Sequence, residues 1–389
     1  MKNIDSLIAE NTFYILGLFI KMLKINTSNP PGNELQLASL IKKELDKYNI
    51  FTELEIIEEQ RANVCAVLKL GRGGKRLLFN SHLDVVPVNK DLWETDPFHP
   101  VVKNGIIYAR GAADAKGGLV AMVAACILLK QLNPNISGEL VISGVMGEET
   151  GGIGTKYWVA QGGRVDAAVV GEPTNLQPII AHRGAYRPTI IFKGEAAHSS
   201  QPELGENALN YAANFICETE NWNKKLQQQK HPLVGFASVA ATIINGGIKV
   251  NVIPDTCQVT IDRRLLPGEK FVAAKHELLS ILNKLQAKGH INQFEIRQGD
   301  CDKESAEVSP DSEIVRCLNH TLASMGISAA STGMKATTDM YILTNKQIPT
   351  VICGPGDMQK AHTANESIPF KEILLAIKVY ILLSINYFK

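Results

Sequence analysis

Five separate segments of this chain set a cation-binding side chain at or just beyond the end of an apolar run, and that pattern limits the available folds more than any other feature. Arg76 to Asn80 reads as a strand and runs into Ser81-His82-Leu83-Asp84-Val85-Val86-Pro87. Glu139 to Val145 reads as a buried strand and closes on Gly147-Glu148-Glu149. Ala167 to Val170 leads into Gly171-Glu172-Pro173-Thr174. Thr350 to Cys353 leads through Gly354-Pro355-Gly356-Asp357 to Ala361-His362-Thr363-Ala364-Asn365-Glu366. The fifth segment, Arg110 to Gly118, is a glycine-rich loop holding Asp114 in front of a long apolar helix, Gly118 to Leu132. Open α/β sheets place their ligands beyond the carboxyl ends of strands, so the pattern suits that architecture.

The rest of the chain agrees. Apolar spacing predicts helices over Asp5 to Lys24 and Glu34 to Tyr48, and strands over Asn63 to Leu70 and Arg76 to Asn80. Helix and strand in turn argue for an α/β catalytic domain with a mixed, mostly parallel sheet flanked by helices. The texture changes after Pro178: strands are expected over Ala185 to Phe192, Ala237 to Asn245 and Thr256 to Arg263, and helices over Gly205 to Asn221 and Lys270 to Gly289. Two helices against an antiparallel sheet would form a separate α+β layer. From about Phe294 the first pattern is expected to resume, with helix Asp311 to Met325 and a last helix from Phe370. The 389 residues then divide into a catalytic domain of residues 1–180 and 293–389 and an inserted lid of residues 181–292.

Composition excludes several classes of partner. A formal net charge of +1 favours neither nucleic acid nor an anionic membrane. Phe13 to Ile20 is apolar, but Lys21 and Lys24 follow and Asp5 and Glu10 precede it, so it is too short to span a bilayer and reads as part of an amphipathic helix. The seven cysteines, Cys65, Cys126, Cys217, Cys257, Cys301, Cys317 and Cys353, are scattered and odd in number. Reduced thiols in a cytoplasmic protein are expected.

Each candidate ligand has a plainer alternative. In an extended segment His82 and Asp84 face the same side, so one can bind a metal while the other holds the free ring nitrogen. A structural histidine is the alternative. Asp114 can bridge two cations or cap the helix that follows. Glu148 and Glu149, adjacent at a strand end, repel each other and lose solvation, which a metal would relieve; a solvated loop is the alternative. Taken together, two imidazoles and three carboxylates, with no cysteine among them, suit paired zinc ions, and cobalt or manganese fit the same ligands.

The ordered series SHLDVVP, RGAADAKGG, GEE, GEPT, AAHSS, NVIPD, DRRLLPGE and GPGD…AHTANE resembles, over nearly the whole chain, the metallohydrolases that include acetylornithine deacetylase, succinyl-diaminopimelate desuccinylase, aminoacylase and certain carboxypeptidases. The resemblance implies that Asp114 bridges two zincs, His82 and Glu172 complete one, and Glu149 and His362 the other. It implies that Asp84 supports His82 and that Glu148 is the general base. His198 matches a lid histidine that stabilises the oxyanion in a neighbouring subunit, which implies a homodimer through the lid. Asn251 and Arg264 match lid positions that contact substrate, Arg264 through its carboxylate; a solvated loop residue at His198 and a surface ion pair at Arg264 are the alternatives. The implied substrate is a small N-acylated amino acid or short peptide. Asp262 to Gly268 looks most like the acetylornithine branch, with succinyl-diaminopimelate or a peptide as the other options and a non-catalytic binding protein as the reading of another class. The family often shows Gly-Thr-Asp where this chain reads Ala336-Thr337-Thr338-Asp339, and no catalytic role is assigned there.

Overall fold

A computed structural model of the chain describes residues 3–299 and 302–389. It divides into two compact units, Met1–Ile180 with Val308–Thr332 and Thr338–Lys389, and Ala181–Glu307 with Gly333–Thr337.

The first unit is built on a mixed sheet. Across it run Phe51–Glu58, Arg61–Leu70, Gly138–Val145, Lys75–His82, Ala167–Val170 and Thr350–Ile352. The parallel pairs form the centre, from Gly138–Val145 to Thr350–Ile352. Antiparallel pairs flank them on both sides. Central parallel strands are covered on both faces and so read as continuous apolar runs; all four residues of Ala167–Val170 are buried. The register brings the strand ends level: His82 lies opposite Val145, Asn80 opposite Val170, and Ile352 opposite Val170.

Helix Lys116–Leu132 is buried from Lys116 to Leu129, as a helix apolar on every side must be. It packs against Ile4–Lys24 and Phe370–Tyr387. By length and composition Ile4–Lys24 is apolar enough to cross a bilayer. Its Leu7, Ile15, Phe19 and Leu23 are nonetheless buried, which is the stripe of a core helix. In the last helix Tyr380 stacks near Phe79 and donates its hydroxyl to the Cys353 main-chain oxygen at 2.7 Å, fixing the strand end that leads to His362.

The second unit is an antiparallel sheet in the order Ser238–Gly246, Thr256–Leu265, Thr189–Lys193, Gln293–Arg297, with Gly184–Tyr186 also on Thr256–Leu265. Burial alternates strictly along Thr256–Leu265, so one face is covered. Helices Ala208–Leu226 and Phe271–Ala287 supply Phe215, Trp222, Leu278 and Leu282 to the core beneath it.

Two expectations are corrected here. The strand expected over Ala185 to Phe192 is two strands, Gly184–Tyr186 and Thr189–Lys193, divided at Pro188, which has no N–H for a ladder. The insert does not end at residue 292. Gln293–Arg297 pairs along Thr189–Lys193, with Ile296 opposite Ile190 and Phe294 opposite Phe192, so it belongs to the second unit and the return falls at Glu307/Val308. Cys65, Cys126, Cys217, Cys257, Cys317 and Cys353 are free thiols; Cys301 lies outside the described residues.

Candidate metal centre

His82 ends its strand with 2% of its surface exposed. Its Nδ1 donates to the Asp84 main-chain oxygen at 2.9 Å, which turns Nε2 toward the site. Nε2 lies 3.0 Å from Asp114 Oδ1 and 3.9 Å from Glu172 Oε2. The Asp84 carboxylate was expected to hold this ring, yet it stands farther from Nδ1, at 3.5 Å, than the main-chain oxygen does. Its oxygens are occupied elsewhere, accepting from the Glu148 N–H at 3.1 Å, the Glu149 N–H at 3.2 Å and the Asn29 side chain at 2.8 Å. Asp84 therefore fixes the turn that carries the two glutamates as much as it fixes the histidine.

Asp114 does not cap the helix behind it: Ala115 is the N-cap residue, and no side chain caps that end. Its Oδ1 faces His82, while its Oδ2 lies 3.3 Å from His362 Nε2. His362 Nε2 is also 3.1 Å from Glu149 Oε1. Ligand atoms of His82, Asp114 and Glu149 all lie within 4.8 Å of one another. Glu172 is 4% exposed and Glu148 6%, so neither sits in a solvated loop.

Close approach of main chains makes this possible. A Cβ on Gly118 would meet the Gly171 carbonyl oxygen at 2.2 Å, so only glycine lets the helix behind Asp114 reach the turn that carries Glu172. Gly147 takes φ +70°, a left-handed conformation that turns the chain out of its strand toward Glu148.

The electrostatics describe a site crowded with negative charge. Burial pushes the Glu149 carboxyl up to about 7; Asp114 and Glu148 add to the rise and His362 opposes it. Glu172 is raised well above the usual range by burial, with the charges of Asp114, Glu148 and Glu149 adding and His82 opposing. Burial alone would lower the His82 imidazole, but Asp114, Asp84 and Glu172 hold it well above its ordinary value. Hydrogen bonds to Asp114 and Glu149 bring His362 to about 10. Against burial, the two histidines hold Asp114 far below the usual carboxylate range. Protons thus sit between groups whose donor atoms could hold a cation. Nitrogen and oxygen donors without sulfur, crowded and desolvated, fit divalent zinc, cobalt or manganese.

The remaining sequence candidates lie in the second unit. His198 is exposed, with Nδ1 2.7 Å from Ser200 Oγ. Asn251 is drawn to the same segment, its main-chain oxygen accepting from Ser199 N at 3.1 Å. Its side-chain Oδ1 is buried and has no hydrogen-bond partner among the described residues. Arg264 pairs with Asp262 through Nε at 2.7 Å and Nη2 at 3.0 Å, so the plainer alternative describes its contacts within this unit. In the late loop Asp339 is buried and accepts from Thr155 Oγ1 at 2.6 Å.

Sequence reasoning assigned no role to two side chains that hold the centre's loops, Asn29 and Glu366, or to Lys116, buried two residues after Asp114. Asn29 donates to Asp84 and to Thr150 Oγ1, both at 2.8 Å. Lys116, fully buried and lowered to about 7 by that burial, donates to the main-chain oxygens of Met22 at 3.2 Å and Ile25 at 2.7 Å. Glu366 gathers the loop that holds Asp114. The motifs around Lys116 and Glu366 stand out in the sequence, but their hydrogen-bond partners are distant along the chain.

The chain belongs to peptidase family M20/M25/M40, whose model matches residues 78–386. It is 28% identical to the probable succinyl-diaminopimelate desuccinylase of Staphylococcus aureus strain MSSA476, over 96% of this chain and 97% of that one. It is 29% identical to the acetylornithine deacetylase of Proteus mirabilis strain HI4320, over 85% of this chain and 84% of that one. A tripeptidase from Staphylococcus aureus shares the fold, with a TM-score of 0.81 and 21% identity over 96% of this chain and 98% of that one.

Proposed function

We propose that this chain hydrolyses the amide bond of a small N-acylated amino acid or short peptide at two divalent cations. The observation that carries the reading is Asp114, whose two oxygens face different histidines, each with a further carboxylate at hand. His82, Asp114 and Glu172 would hold one cation, and Glu149, Asp114 and His362 the other. Zinc is the first metal to test, then cobalt and manganese. When bound, such cations supply Lewis acidity to a carbonyl oxygen and to water. Glu148, buried beside both ligand sets, takes the proton from the attacking water and returns it to the departing amine nitrogen. His198 from a second copy donates to the carbonyl oxygen as its charge builds. Asn251 and Arg264 bind the amino-acid end of the substrate, Arg264 exchanging its pairing with Asp262 for the substrate carboxylate.

Among substrates, N-acetylornithine comes first, on the stretch Asp262 to Gly268; succinyl-diaminopimelate and di- or tripeptides follow. Relatives named for the first two are nearly equally similar to this chain, at 29% and 28% identity. A panel of acetyl-, succinyl- and peptidyl-amino acids, with released amine measured on the metal-loaded protein, decides among them. A loaded protein that cleaves none of them would favour a binding role.

The second copy would dock on the edge strand Ser238–Gly246, which among the described residues has one neighbour in its sheet. Ile243, Ile244, Ile248 and Val250 are exposed there, and an open apolar edge is a ready pairing surface. Ile244→Lys is expected to weaken the dimer about tenfold or more in sedimentation velocity. Wild type that stays monomeric at high concentration would remove the dimer. With a dimer in hand, mixing His198→Ala with Glu148→Ala chains should recover part of the activity, and no recovery despite subunit exchange would keep His198 within its own chain. We place the protein in the cytoplasm, in keeping with its six free described thiols.

A further inference from the structure

Glu366 is fully buried, and its carboxylate organises the loop that presents Asp114. Oε2 accepts from Arg110 Nη1 at 2.7 Å and from Gly111 N at 2.9 Å. Oε1 accepts from Ala113 N at 2.7 Å and from Asp114 N at 2.9 Å. Both oxygens are doubly occupied, and every donor belongs to Arg110–Asp114, a loop with no ladder or helix of its own to satisfy its amides. The Glu366 main-chain oxygen also accepts from Ala109 N at 3.1 Å, and the preceding Asn365 accepts from Glu94 N at 2.9 Å.

The segment that supplies this carboxylate also carries His362. A single buried side chain therefore ties the Asp114 loop to the His362 loop. His82 needs no such tie, because it ends a strand paired with Gly138–Val145. Glu172 follows Gly171, whose N–H donates to Asn80 O at 2.8 Å in the same sheet.

We propose that Glu366 is a positioning residue of the metal centre, setting Asp114 Oδ2 and His362 Nε2 to face one cation. The inference rests on the two-cation reading above. Glu366 touches neither substrate nor cation and acts through Asp114 and His362. Its loss falls hardest on the site formed by Glu149, Asp114 and His362, where both loop ligands depend on it, and less on the site formed by His82, Asp114 and Glu172, where Asp114 alone does and His82 and Glu172 are held by the sheet.

Glu366→Gln tests this with little change in shape. A glutamine amide keeps one oxygen, so its nitrogen confronts two donors and that half of the cradle is lost. Metal-free wild type and variant are titrated with Co²⁺ by calorimetry and by visible absorption, and the metal-free melting temperatures are measured alongside. Wild type is expected to take two Co²⁺ per chain. The variant is expected to keep one site within about threefold and lose about 10–100-fold in the other, the usual cost of removing a partner that orients a ligand. Its kcat falls at limiting metal and returns with excess, while KM stays within about twofold. Arg110→Lys, which leaves the three amide bonds in place, should weaken the same site less, and it is read in the same way if the glutamine variant does not fold. Both affinities unchanged, with only a lower melting temperature, would overturn the proposal and leave Glu366 structural. Wild type that binds no Co²⁺ would overturn the two-cation reading beneath it.

Discussion

Replacing Glu148 with alanine is expected to lower kcat by about 10²–10⁴-fold while both cations stay bound. Glu148 and Glu149 are neighbours in sequence to which the proposal gives separate tasks. Glu149 Oε1 is 3.1 Å from His362 Nε2 and falls in the proposed ligand set. Glu148 stands outside that set, yet its charge raises both Glu149 and Glu172. Its backbone is fixed by the Asp84 carboxylate, so removing the side chain leaves the turn in place. Glu148→Gln should show the same loss, because an amide cannot accept the proton. Glu148→Asp, one methylene shorter, should keep part of the rate. Metal analysis and turnover on each variant check this together. Unchanged turnover, or a loss that only follows metal content, would take Glu148 out of the proton path.

Removing the cations is the second large effect. A chelator should abolish turnover, and added zinc, cobalt or manganese should restore it. The pH dependence has a definite sign. Without metal, His362 is raised from 6.5 to about 10 and Glu149 from 4.5 to about 7, so near neutrality each holds a proton that a cation must displace. Affinity should therefore fall as pH drops from 8 to 6, by about tenfold per unit for each proton displaced. Stability follows the same linkage. The raised His362 stabilises the metal-free fold fully below 6.5, and that contribution is lost as pH rises toward 10. The raised Glu149 costs nothing below 4.5 and its full amount above 7. The gap in melting temperature between loaded and metal-free protein should thus widen from pH 6 to pH 8. A gap that narrows over that range would contradict the assignment of these two ligands.

The gathering of this candidate site was largely legible in the sequence, because a parallel sheet brings together the residues that stand where its apolar runs stop. His82 ends, and Glu149, Glu172 and His362 follow, strands with an apolar run in them, and the register brings those ends level. Asp114 was legible as a carboxylate in a glycine-rich segment, and Gly118 against Gly171 shows why the helix behind it needs glycine. The contacts of Asn29, Lys116 and Glu366 were not legible. Each satisfies donors or acceptors far away in the chain, and periodicity reports only which face of an element is covered. The same limit explains Gln293–Arg297. Its alternating pattern marks a strand, but nothing local says that its partner is Thr189–Lys193. His198 and Arg264 show the opposite case, in which motif and order spoke clearly while contacts inside the second unit stay ordinary, with Ser200 and Asp262.

The most direct measurement is the metal content of the remetallated chain beside that of Asp114→Ala. About two divalent cations per wild-type chain and loss of both in the variant are expected, since one carboxylate serves both histidines. Wild type that retains no cation, or a variant that still holds two, would contradict the shared centre.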